Sequence, residues 1–483
     1  MKRIALLAAV PLGALFVLAA ASSSTATACI KLTKPGTVVR GEAQICPGRY
    51  RIADSAEQGV IVVAGTGTQL DLTGVTLLSG DTLAHEFRGI GLLVRGAEGA
   101  TIVGGRISGY RFGIRIEGGS GHRVLNADLS GSRAQALHST PQAYDERDWL
   151  DIFRPDTFEL YGSALYLKGT DRVEVRGITA NSAQNGIGLF EARGSFIADN
   201  DVSNNSGWGI HLWRSSGNTI IRNAAHHNVR CESERYRRGC DSAGILLRES
   251  SDSNLIADND LSYSGDGFFL SGHRPYVTPS IGNLVVRNDA SHSYHNAFES
   301  TFSWGNTFLD NRADSSDYGF WLGYSSGTTV RGNTILGTRS AAIAIEHGAD
   351  NVIAGNTIVG GQLGVRLFAP QSGGGNSPSR DTRIDDNTFA RLGQAIVLSQ
   401  TTGSRIRDNV FDGVGEALVA DSASSDVELR DNVFLRAMLA WIRADSLDAG
   451  GNYWAAASAD ATRARLGDGI VVEPWRSARA AGY

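Results

Sequence analysis

The stretch 186–223 reads GIGLFEARGSFIADNDVSNNSGWGIHLWRSSGNTIIRN and contains one pattern twice. A small residue, an apolar residue, any residue and a second apolar residue make the phrases GIGL at 186 and GIHL at 209. Each phrase alternates with a period of two, which predicts a strand with one buried face. A strand that returns after 22 or 23 residues predicts one coil of a solenoid per repeat.

The same phrase continues along the chain as GFFL at 267, GFWL at 319, AIAI at 342 and AIVL at 395. Between the phrases the pattern N-x-apolar recurs. Its Asn residues are Asn200, Asn223, Asn259, Asn288, Asn311, Asn333, Asn356, Asn387, Asn409 and Asn432. Equivalent residues of a solenoid stack in columns about 4.8 Å apart. The Asn column therefore predicts buried amides that bond to one another at a turn, and not a binding site.

This pattern resembles the right-handed parallel β-helix superfamily, which includes pectate lyases, alginate lyases and epimerases, polygalacturonases and the NosD-like proteins of copper-enzyme maturation. CPGRYRI at 46 and TQLDLTGVTLLSG at 68 resemble its entry coils, and GGNYW at 450 and VEPW at 472 resemble its closing segment. The resemblance implies an all-β fold, a right-handed parallel β-helix of about 13 to 14 coils with terminal caps. The expected divisions are a signal peptide at 1–28, an N-terminal cap at 29–59, the β-helix at 60–454 and a C-terminal cap at 455–483.

The composition fits one large core without a polybasic surface. Hydrophobic residues make up 42% of the chain, and the 59 Gly show no triplet period, which excludes general disorder and collagen. Lys and Arg total 45 against 50 Asp and Glu, a net charge of −5, which does not suit a general nucleic-acid binder. No segment after the N-terminus has about 18 consecutive apolar residues, so no stable membrane span is predicted.

The N-terminus predicts export. Lys2 and Arg3 precede the apolar run IALLAAVPLGALFVLAAA, which ends in small residues. Ala26-Thr27-Ala28 suits cleavage before Cys29. We therefore expect a secreted or periplasmic protein, and a lipid anchor on Cys29 ranks second.

The four cysteines predict two disulfides, because each local pair closes a short loop and the expected compartment is oxidising. The pairs are Cys29 with Cys46 and Cys231 with Cys240. His227, Tyr263 and His292 occupy one turn column over three coils, too far apart to share one ion. The sequence therefore predicts no metal site.

Four long loops interrupt the coils beside one strand column, at 138–162, 229–242, 272–279 and 369–379. The first two precede the strand and the other two follow it, so we expect walls on both sides of one sheet. Outward positions between these walls mix aromatic and charged residues, which suits a groove that stacks on sugar rings. The predicted substrate-binding side chains are Tyr166, Phe190, Trp213, Phe269, Trp321, Tyr324, His347 and Arg366.

Two carboxylates in this column are the first catalytic candidates. Glu299 and Glu346 lie two coils apart, about 10 Å, with an offset of two residues, about 7 Å. Long side chains can converge across that distance, and carboxyl groups about 6.5 to 9.5 Å apart suit inverting glycoside hydrolysis, whereas about 5 Å suits retention. Carboxylates at neighbouring turns that could replace one of the pair are Asp241, Asp266 and Asp317.

A second group of candidate residues, mostly basic, lies in coils four to seven of the same face: Tyr166, Lys168, His211 and Arg248. In the uronate lyases and epimerases that the chain resembles, a basic group neutralises the substrate carboxylate while Lys, His, Arg or Tyr takes the C5 proton. The Asp-Pro-His motif of the alginate epimerases is absent.

The sequence therefore predicts an exported carbohydrate-active enzyme that cleaves a polysaccharide, with hydrolysis by paired carboxylates favoured. The predicted catalytic residues are Glu299, Glu346, Asp266, His211, Arg248 and Lys168. A lyase or C5-epimerase acting on a uronate polymer is the first alternative, and a non-catalytic NosD-like binding or copper-maturation protein is the second. No cofactor is required, although a Ca²⁺ in the groove, as in some lyases, stays open, and so does the oligomeric state.

Overall fold

The computed structural model describes residues 28–155, 157–272, 278–370, 377–455, 459–463, 466 and 469–474. Across these residues the chain is almost entirely β-structure, and strands of successive coils pair in parallel. The predicted parallel β-helix is confirmed. The predicted signal peptide lies outside the described residues except for Ala28. Within the described ranges, no helix has the length and apolar character needed to cross a membrane.

The largest sheet has 18 strands and carries the apolar phrases of the repeat. Its strands are Thr37–Val39, Ile61–Thr66, Ile90–Glu98, Phe112–Glu117, Ser163–Lys168, Asn185–Phe190, Trp208–Trp213, Ala243–Arg248, Asp266–Ser271, Asn296–Thr301, Tyr318–Gly323, Thr334–Glu346, Thr357–Phe368, Thr388–Ala390, Gln394–Ser399, Val410–Ala420, Val433–Arg443 and Tyr453–Trp454. We call it the long sheet.

A second sheet of 15 short strands forms another side of the coils. Its strands are Glu42–Gln44, Gln69–Asp71, Thr101–Val103, Arg123–Leu125, Glu174–Arg176, Phe196–Ala198, Thr219–Ile221, Leu255–Ala257, Leu284–Val286, Thr307–Leu309, Thr329–Arg331, Val352–Ala354, Arg383–Asp385, Arg405–Arg407 and Glu428–Arg430. The smaller sheets contain Gly48–Arg51, Val75–Leu78 and Arg106–Ser108, then Ser379–Arg380 with Thr401–Thr402, and Leu447–Asp448 with Ile470–Val471.

Helical segments are short. Helix α1 spans Thr157–Tyr161, α2 spans Ser233–Tyr236 and α3 spans Ala459–Arg463. Single 3₁₀ turns lie at Ala84–Glu86 and Glu146–Asp148. Helix α1 and the second 3₁₀ turn both belong to the loop 138–162, which matters for the site described below.

The core is a column of apolar side chains along the inside of the long sheet. Each is fully buried and stands opposite its equivalent in the next coil: Ile114, Leu165, Ile187, Ile210, Ile245, Phe268, Phe298, Phe320, Ile343, Val365, Ile396 and Leu418. Burying one such side chain contributes about 1.5 to 3 kcal/mol. The alternating repeat therefore stabilises every coil through its neighbours.

The predicted N-terminal cap, 29–59, contains strands that pair with those of the following coil. Thr37–Val39 pairs in parallel with Ile61–Thr66, and Glu42–Gln44 pairs with Gln69–Asp71. Residues within the predicted N-terminal cap, 29–59, thus already form a coil. The disulfide between Cys29 and Cys46 ties the first described residues to that coil.

The Asn column forms the predicted ladder of buried amides. Each Nδ2 donates to the Oδ1 of the Asn in the next coil at 2.9 to 3.1 Å, from Asn200 through to Asn432, and the ladder ends on Asn452. A second buried ladder, which was not predicted from the sequence, links Asn218, Asn254, Asn283 and Asn306. Both ladders are structural.

Replacing Asn333 by Ala should lower the free energy of unfolding by about 3 kcal/mol or more, because several buried partners lose their hydrogen bond at about 1 to 3 kcal/mol each. Asn333 accepts from the Asn311 backbone and side chain and donates to the Phe308 carbonyl and to Asn356. Urea unfolding measures the loss. The half-buried Asn181 makes one side-chain bond, to Asp201, and Asn181→Ala is the matched control. Equal losses in the two variants would contradict the ladder's role.

Candidate active site

The loop 138–162, which we call the flap, covers part of the outer face of the long sheet. Its Leu150, Ile152 and Tyr161 pack against Trp208, Leu246 and Phe269 in one buried cluster. Phe158 of helix α1 packs in a second cluster with Phe112, Tyr166 and Trp213. The flap therefore lies across the sheet and does not stand beside it as a wall.

The predicted groove along the strand column is therefore closed where the flap covers it. Five of the predicted site side chains lie beneath the flap and are at most 4% exposed: Tyr166, His211, Trp213, Arg248 and Phe269. They do point outward from the long sheet, as the alternation predicted, but apolar flap residues take the place of solvent.

His211 shows the consequence most clearly. Its ring stacks on Phe158 at 4.4 Å and lies 4.3 Å from Trp208, measured between ring centroids. Burial, with the nearby Arg248 cation, lowers the pKa of His211 well below its usual value. The structure thus places His211 in the packing beneath the flap, with its side chain fully buried.

Arg248 holds the flap in place. Its Nε donates to the Ile152 carbonyl at 2.9 Å, and its Nη1 donates to the carbonyls of Ser271 and Gly272 at 3.1 and 2.6 Å. Burial lowers the pKa of Arg248 to about 10. The guanidinium predicted to bind or deprotonate a uronate instead bridges the flap to the following coil.

The disulfide loop supports the flap from the other side. Cys231 and Cys240 form the predicted bond, and the Cys240 carbonyl accepts from the Leu150 backbone at 3.2 Å. The buried Arg230 donates to the Gln135 side chain at 2.9 Å. The two long loops that precede the strand therefore fold together as one cover.

Two further predicted side chains lie at the flap's edge. Lys168 makes an ion pair with Glu159 of helix α1, with Nζ and Oε1 3.3 Å apart. Phe190 is half-buried and meets Phe158 edge-on at 6.1 Å. The structure does not bring either residue to the carboxylates of the following coils.

Immediately beyond the flap, three titratable side chains converge. One ligating atom each of Asp266, His295 and Glu299 lies within 4.8 Å of the other two. His295 Nδ1 is 3.0 Å from Asp266 Oδ1. Phe269, covered by the flap, is the strand neighbour of Glu299. We call these three residues the acidic cluster.

Asn296 organises the acidic cluster from the start of its strand. Its backbone N–H donates to Asp266 Oδ1 at 2.8 Å, and its Nδ2 donates to Glu299 Oε2 at 2.6 Å. Asp266 and Asn296 occupy equivalent strand starts on successive coils, so the parallel register brings them together. The cluster is thereby built on rigid strands, which fixes the orientation of its side chains.

The acidic cluster retains protons at neutral pH. Glu299 keeps part of its surface exposed, yet burial by the surrounding protein and the nearby Asp266 raise its pKa to about 8. Burial and Asp266 also raise the pKa of Asp241 to about 7. Burial disfavours the imidazolium of His295, but Asp266 outweighs that cost and raises its pKa to about 9.

The long sheet stays accessible on the C-terminal side of the cluster. Glu299 is followed in its row by Trp321, Ala344 and Arg366, one per coil. Trp321 is half-buried and meets Tyr318 edge-on at 4.9 Å, and Arg366 stacks over Phe368 at 4.3 Å. Trp321 and Arg366 are partly exposed next to the acidic cluster, whereas Ala344 between them is buried.

A neighbouring row carries Gly323, Glu346 and Phe368. At the turn beyond it, Phe302, Tyr324 and His347 stack ring on ring at 4.9 Å. Glu346 is half-buried and lies two coils and two residues from Glu299. The predicted site residues of the C-terminal half thus share one accessible face, and those of the N-terminal half do not.

The solved structures that are similar to this chain include the following three. A family 28 exopolygalacturonase of Yersinia enterocolitica has 12% identity over 80% of this chain and 72% of its own, with a TM-score of 0.40. The A-module of the Azotobacter vinelandii mannuronan C-5 epimerase AlgE6 has 14% identity over 82% and 91%, at 0.35. PfbA, a surface adhesin of Streptococcus pneumoniae, has 13% identity over 82% and 83%, also at 0.35. No curated protein matches the chain.

Residues 276–462 match the family described as periplasmic copper-binding protein (NosD). Copper(I) prefers thiolate, thioether and imidazole ligands. No Cys lies in this range, and both ring nitrogens of His347 contact backbone carbonyls. Of the described imidazoles there, His295 alone joins other ligating groups, and those are carboxylates. The described residues of 276–462 therefore bring together no set of copper(I) ligands.

Residues 163–335 match the family described as right handed beta helix region. The structure has the corresponding parallel order of strands, coil upon coil, in two long sheets. This strand order and the match over 163–335 show that the chain has the right-handed parallel β-helix fold.

Proposed function

We propose that the protein is a polysaccharide-cleaving enzyme whose reaction centre is the acidic cluster. The observation that carries the proposal is the Glu299 carboxyl group, which lies within 4.8 Å of Asp266 and has the partly exposed Trp321 as its neighbour in the next coil. A carboxyl group crowded by a second carboxylate keeps its proton near neutral pH, as general acid catalysis requires. An aromatic ring beside it offers a face to a sugar.

In this proposal Glu299 gives its proton to the glycosidic oxygen as the bond to the anomeric carbon breaks. Asn296 Nδ2, 2.6 Å from Glu299 Oε2, fixes the orientation of the carboxyl group. Asp266 is buried and already bonded to His295 and to the Asn296 backbone, so it acts as a positioning residue. Its negative charge keeps the proton on Glu299.

The second carboxylate of the proposed pair is Glu346. It lies beyond Trp321 from Glu299, and the two Cα positions differ by about 10 Å across the coils and about 7 Å along the strand. That separation leaves room for a sugar and a water between the carboxyl groups, which favours inversion. Glu346 takes a proton from water as the oxygen adds to the anomeric carbon, so the products together gain one water.

Elimination or C5 epimerisation of a uronate is the competing chemistry, because His295 beside Asp266 resembles a proton-transfer dyad. Mass spectrometry of products separates the three reactions. Hydrolysis adds the mass of one water to the summed fragments, elimination adds none, and epimerisation leaves the polymer intact. The test is a panel of neutral and acidic glycans incubated with the mature protein. Cleavage with gain of water supports the proposal, and an unsaturated product would overturn it.

Metal binding is the second candidate function, because the acidic cluster offers one imidazole nitrogen and two carboxylate oxygens. Such a donor set suits borderline or hard divalent ions. Elemental analysis of the purified protein, repeated on His295→Ala, tests it. A stoichiometric divalent ion that His295→Ala loses, together with no cleavage of any glycan, would favour metal binding over catalysis.

Export to an oxidising compartment is part of the proposal. The two disulfides, Cys29–Cys46 and Cys231–Cys240, support it, since such bonds persist outside the cytosol. Removal of residues 1–28 would leave Cys29 at the mature N-terminus, and mass spectrometry of the exported protein distinguishes a free N-terminus from a lipidated one.

A further inference from the structure

The outer surface of the flap concentrates exposed apolar side chains. Four of the ten exposed large hydrophobic residues in the described part of the chain lie in or directly before the flap: Leu137, Trp149, Phe153 and Leu160. Exposed apolar residues that occur singly are ordinary, whereas several of them on one loop indicate a surface that binds something.

The segment from Trp149 to Phe153, which we call the outer strip, alternates between the two sides of the flap. Leu150 and Ile152 pack toward the long sheet and are 3% exposed, whereas Trp149 is 40% and Phe153 is 55% exposed. Asp151 lies between the two aromatic residues, and its carboxylate is partly exposed. The two aromatic Cα atoms are at most about 14 Å apart, because four residues of extended chain reach no further. A short oligosaccharide can therefore contact both rings and the carboxylate.

Phe153 presents one face of its ring to solvent. Its other face lies against the buried guanidinium of Arg248, whose Cζ is 5.2 Å from the ring centroid. Trp149 donates its indole N–H to the Tyr144 hydroxyl, and Tyr144 meets Tyr236 of helix α2 at 5.9 Å between ring centroids. The aromatic surface thus extends from the outer strip to the disulfide loop.

The backbone of the outer strip is fixed before any ligand binds. Leu150 and Ile152 make the backbone hydrogen bonds to the disulfide loop and to Arg248 described above. The Asp151 backbone N–H donates to the Tyr161 hydroxyl at 2.9 Å. A surface held in this way loses little conformational entropy on binding, which favours affinity.

We propose that the outer strip is a second, non-catalytic surface that binds a polysaccharide chain through sugar rings stacked on Trp149 and Phe153. The faces of aromatic rings suit the apolar faces of sugars, and the Asp151 carboxylate accepts hydrogen bonds from sugar hydroxyl groups. A purely apolar partner would instead have to remove water from that carboxylate without replacing its hydrogen bonds.

The choice of a polysaccharide as the ligand rests on the proposed function, to which the outer strip adds a site that holds the polymer. Leu150 of the strip packs in the same cluster as Phe269, the strand neighbour of Glu299. The strip therefore keeps a bound polymer close to the proposed reaction centre.

Replacing Trp149 and Phe153 together by Ala should weaken polymer binding by about tenfold or more, because both stacking faces are lost. Affinity gel electrophoresis measures this, with glucomannan, arabinoxylan, polygalacturonate or alginate in the gel and the chain in its Glu299→Gln form, where turnover is slow. Phe196→Ala is the matched control. Its ring also lies against a guanidinium, that of Arg176 at 5.3 Å, but on the sheet of short strands, so polymer binding should not change.

A polymer that retards the Glu299→Gln chain and the Phe196→Ala control, but not the double Ala variant, supports the inference. The variant Trp149→Phe with Phe153→Tyr keeps both ring faces and should keep most of the retardation, and a complete loss there would contradict stacking. Equal retardation of all variants, or none in any of the four polymers, would overturn the inference. So would a dimer in sedimentation that the double Ala variant dissociates, because the rings would then contact a second copy of the chain.

Kinetics on a cleaved polymer separate this inference from the proposed function. The double Ala variant with Glu299 intact should raise KM for the polymer, leave kcat unchanged and leave cleavage of a trisaccharide of the same glycan unchanged. Polymer cleavage that the double variant does not alter would overturn the inference and leave the proposed function standing. Polymer binding through the two rings without cleavage by wild type would contradict the proposed function and leave the binding surface standing.

Discussion

Replacing Glu299 by Gln is expected to slow cleavage of an unactivated glycan by about 100- to 10,000-fold, the usual contribution of a general acid. The Gln oxygen can still accept from Asn296 Nδ2, so the local hydrogen bond survives and the transferable proton is lost. Initial rates on the glycan found in the panel screen measure the effect. Glu191→Gln, at a turn on the far side of the flap, is the matched control and should retain full activity.

The leaving group sharpens this test. In an aryl glycoside with an acidic phenol, the leaving phenolate departs without being protonated. The Glu299→Gln variant should therefore cleave such a substrate at a rate close to that of wild type. A variant that loses activity on both substrates equally would show that Glu299 has another role, and full activity on both would remove Glu299 from the mechanism.

Above about pH 6.5 the buried His211 is neutral in both the folded and the unfolded chain, and the stability of the protein is expected to fall as the pH rises from there to about 9. The folded state raises the pKa of Glu299 from 4.5 to about 8, of Asp241 from 3.8 to about 7 and of His295 from 6.5 to about 9. In each case the folded chain binds the proton more tightly than the unfolded chain. The resulting stabilisation is complete below the unfolded pKa and is lost as the pH passes through the folded one. Urea midpoints at several pH values measure this slope.

Glu299→Gln should flatten the slope between about pH 4.5 and pH 8, because one of the three protons no longer titrates. Asp145→Asn is the control: hydrogen bonds from Arg147 lower the pKa of Asp145, so its stabilisation is lost only at acid pH. That variant should keep the wild-type slope above pH 5. An unchanged slope in Glu299→Gln would contradict proton retention in the acidic cluster.

The fold followed from the sequence because each coil repeats the same physical requirements. The alternation in GIGL and GIHL places Ile187 and Ile210 in the core, and the Asn spacing places Asn200 and Asn223 in hydrogen-bonding distance. Both signals are local in sequence, and stacking converts them into columns. No such period exists in 138–162, so its position over the sheet could not be read from the chain.

The candidate site was predictable only in part, for a related reason. Asp266 and Glu299 belong to phrases of the repeat, and their positions follow from the register. His295 lies just before the strand that begins at Asn296, at a corner where the side-chain direction is set by the turn and not by the alternation. Its contact with Asp266, 29 residues away, depends on how the turns before the strands of two successive coils stack on each other. The burial of His211 and Arg248 depends on the flap, which carries no pattern.

The flap also determines which way a polymer can lie. A glycan chain running along the β-helix axis through the acidic cluster meets Leu150 and Ile152, packed on Phe269, directly on the N-terminal side. On the C-terminal side the rows of Trp321 and Arg366 continue without a cover from the flap. Under the proposed function, one end of the substrate would be blocked at the reaction centre, so the enzyme would release short fragments of uniform length from a chain terminus.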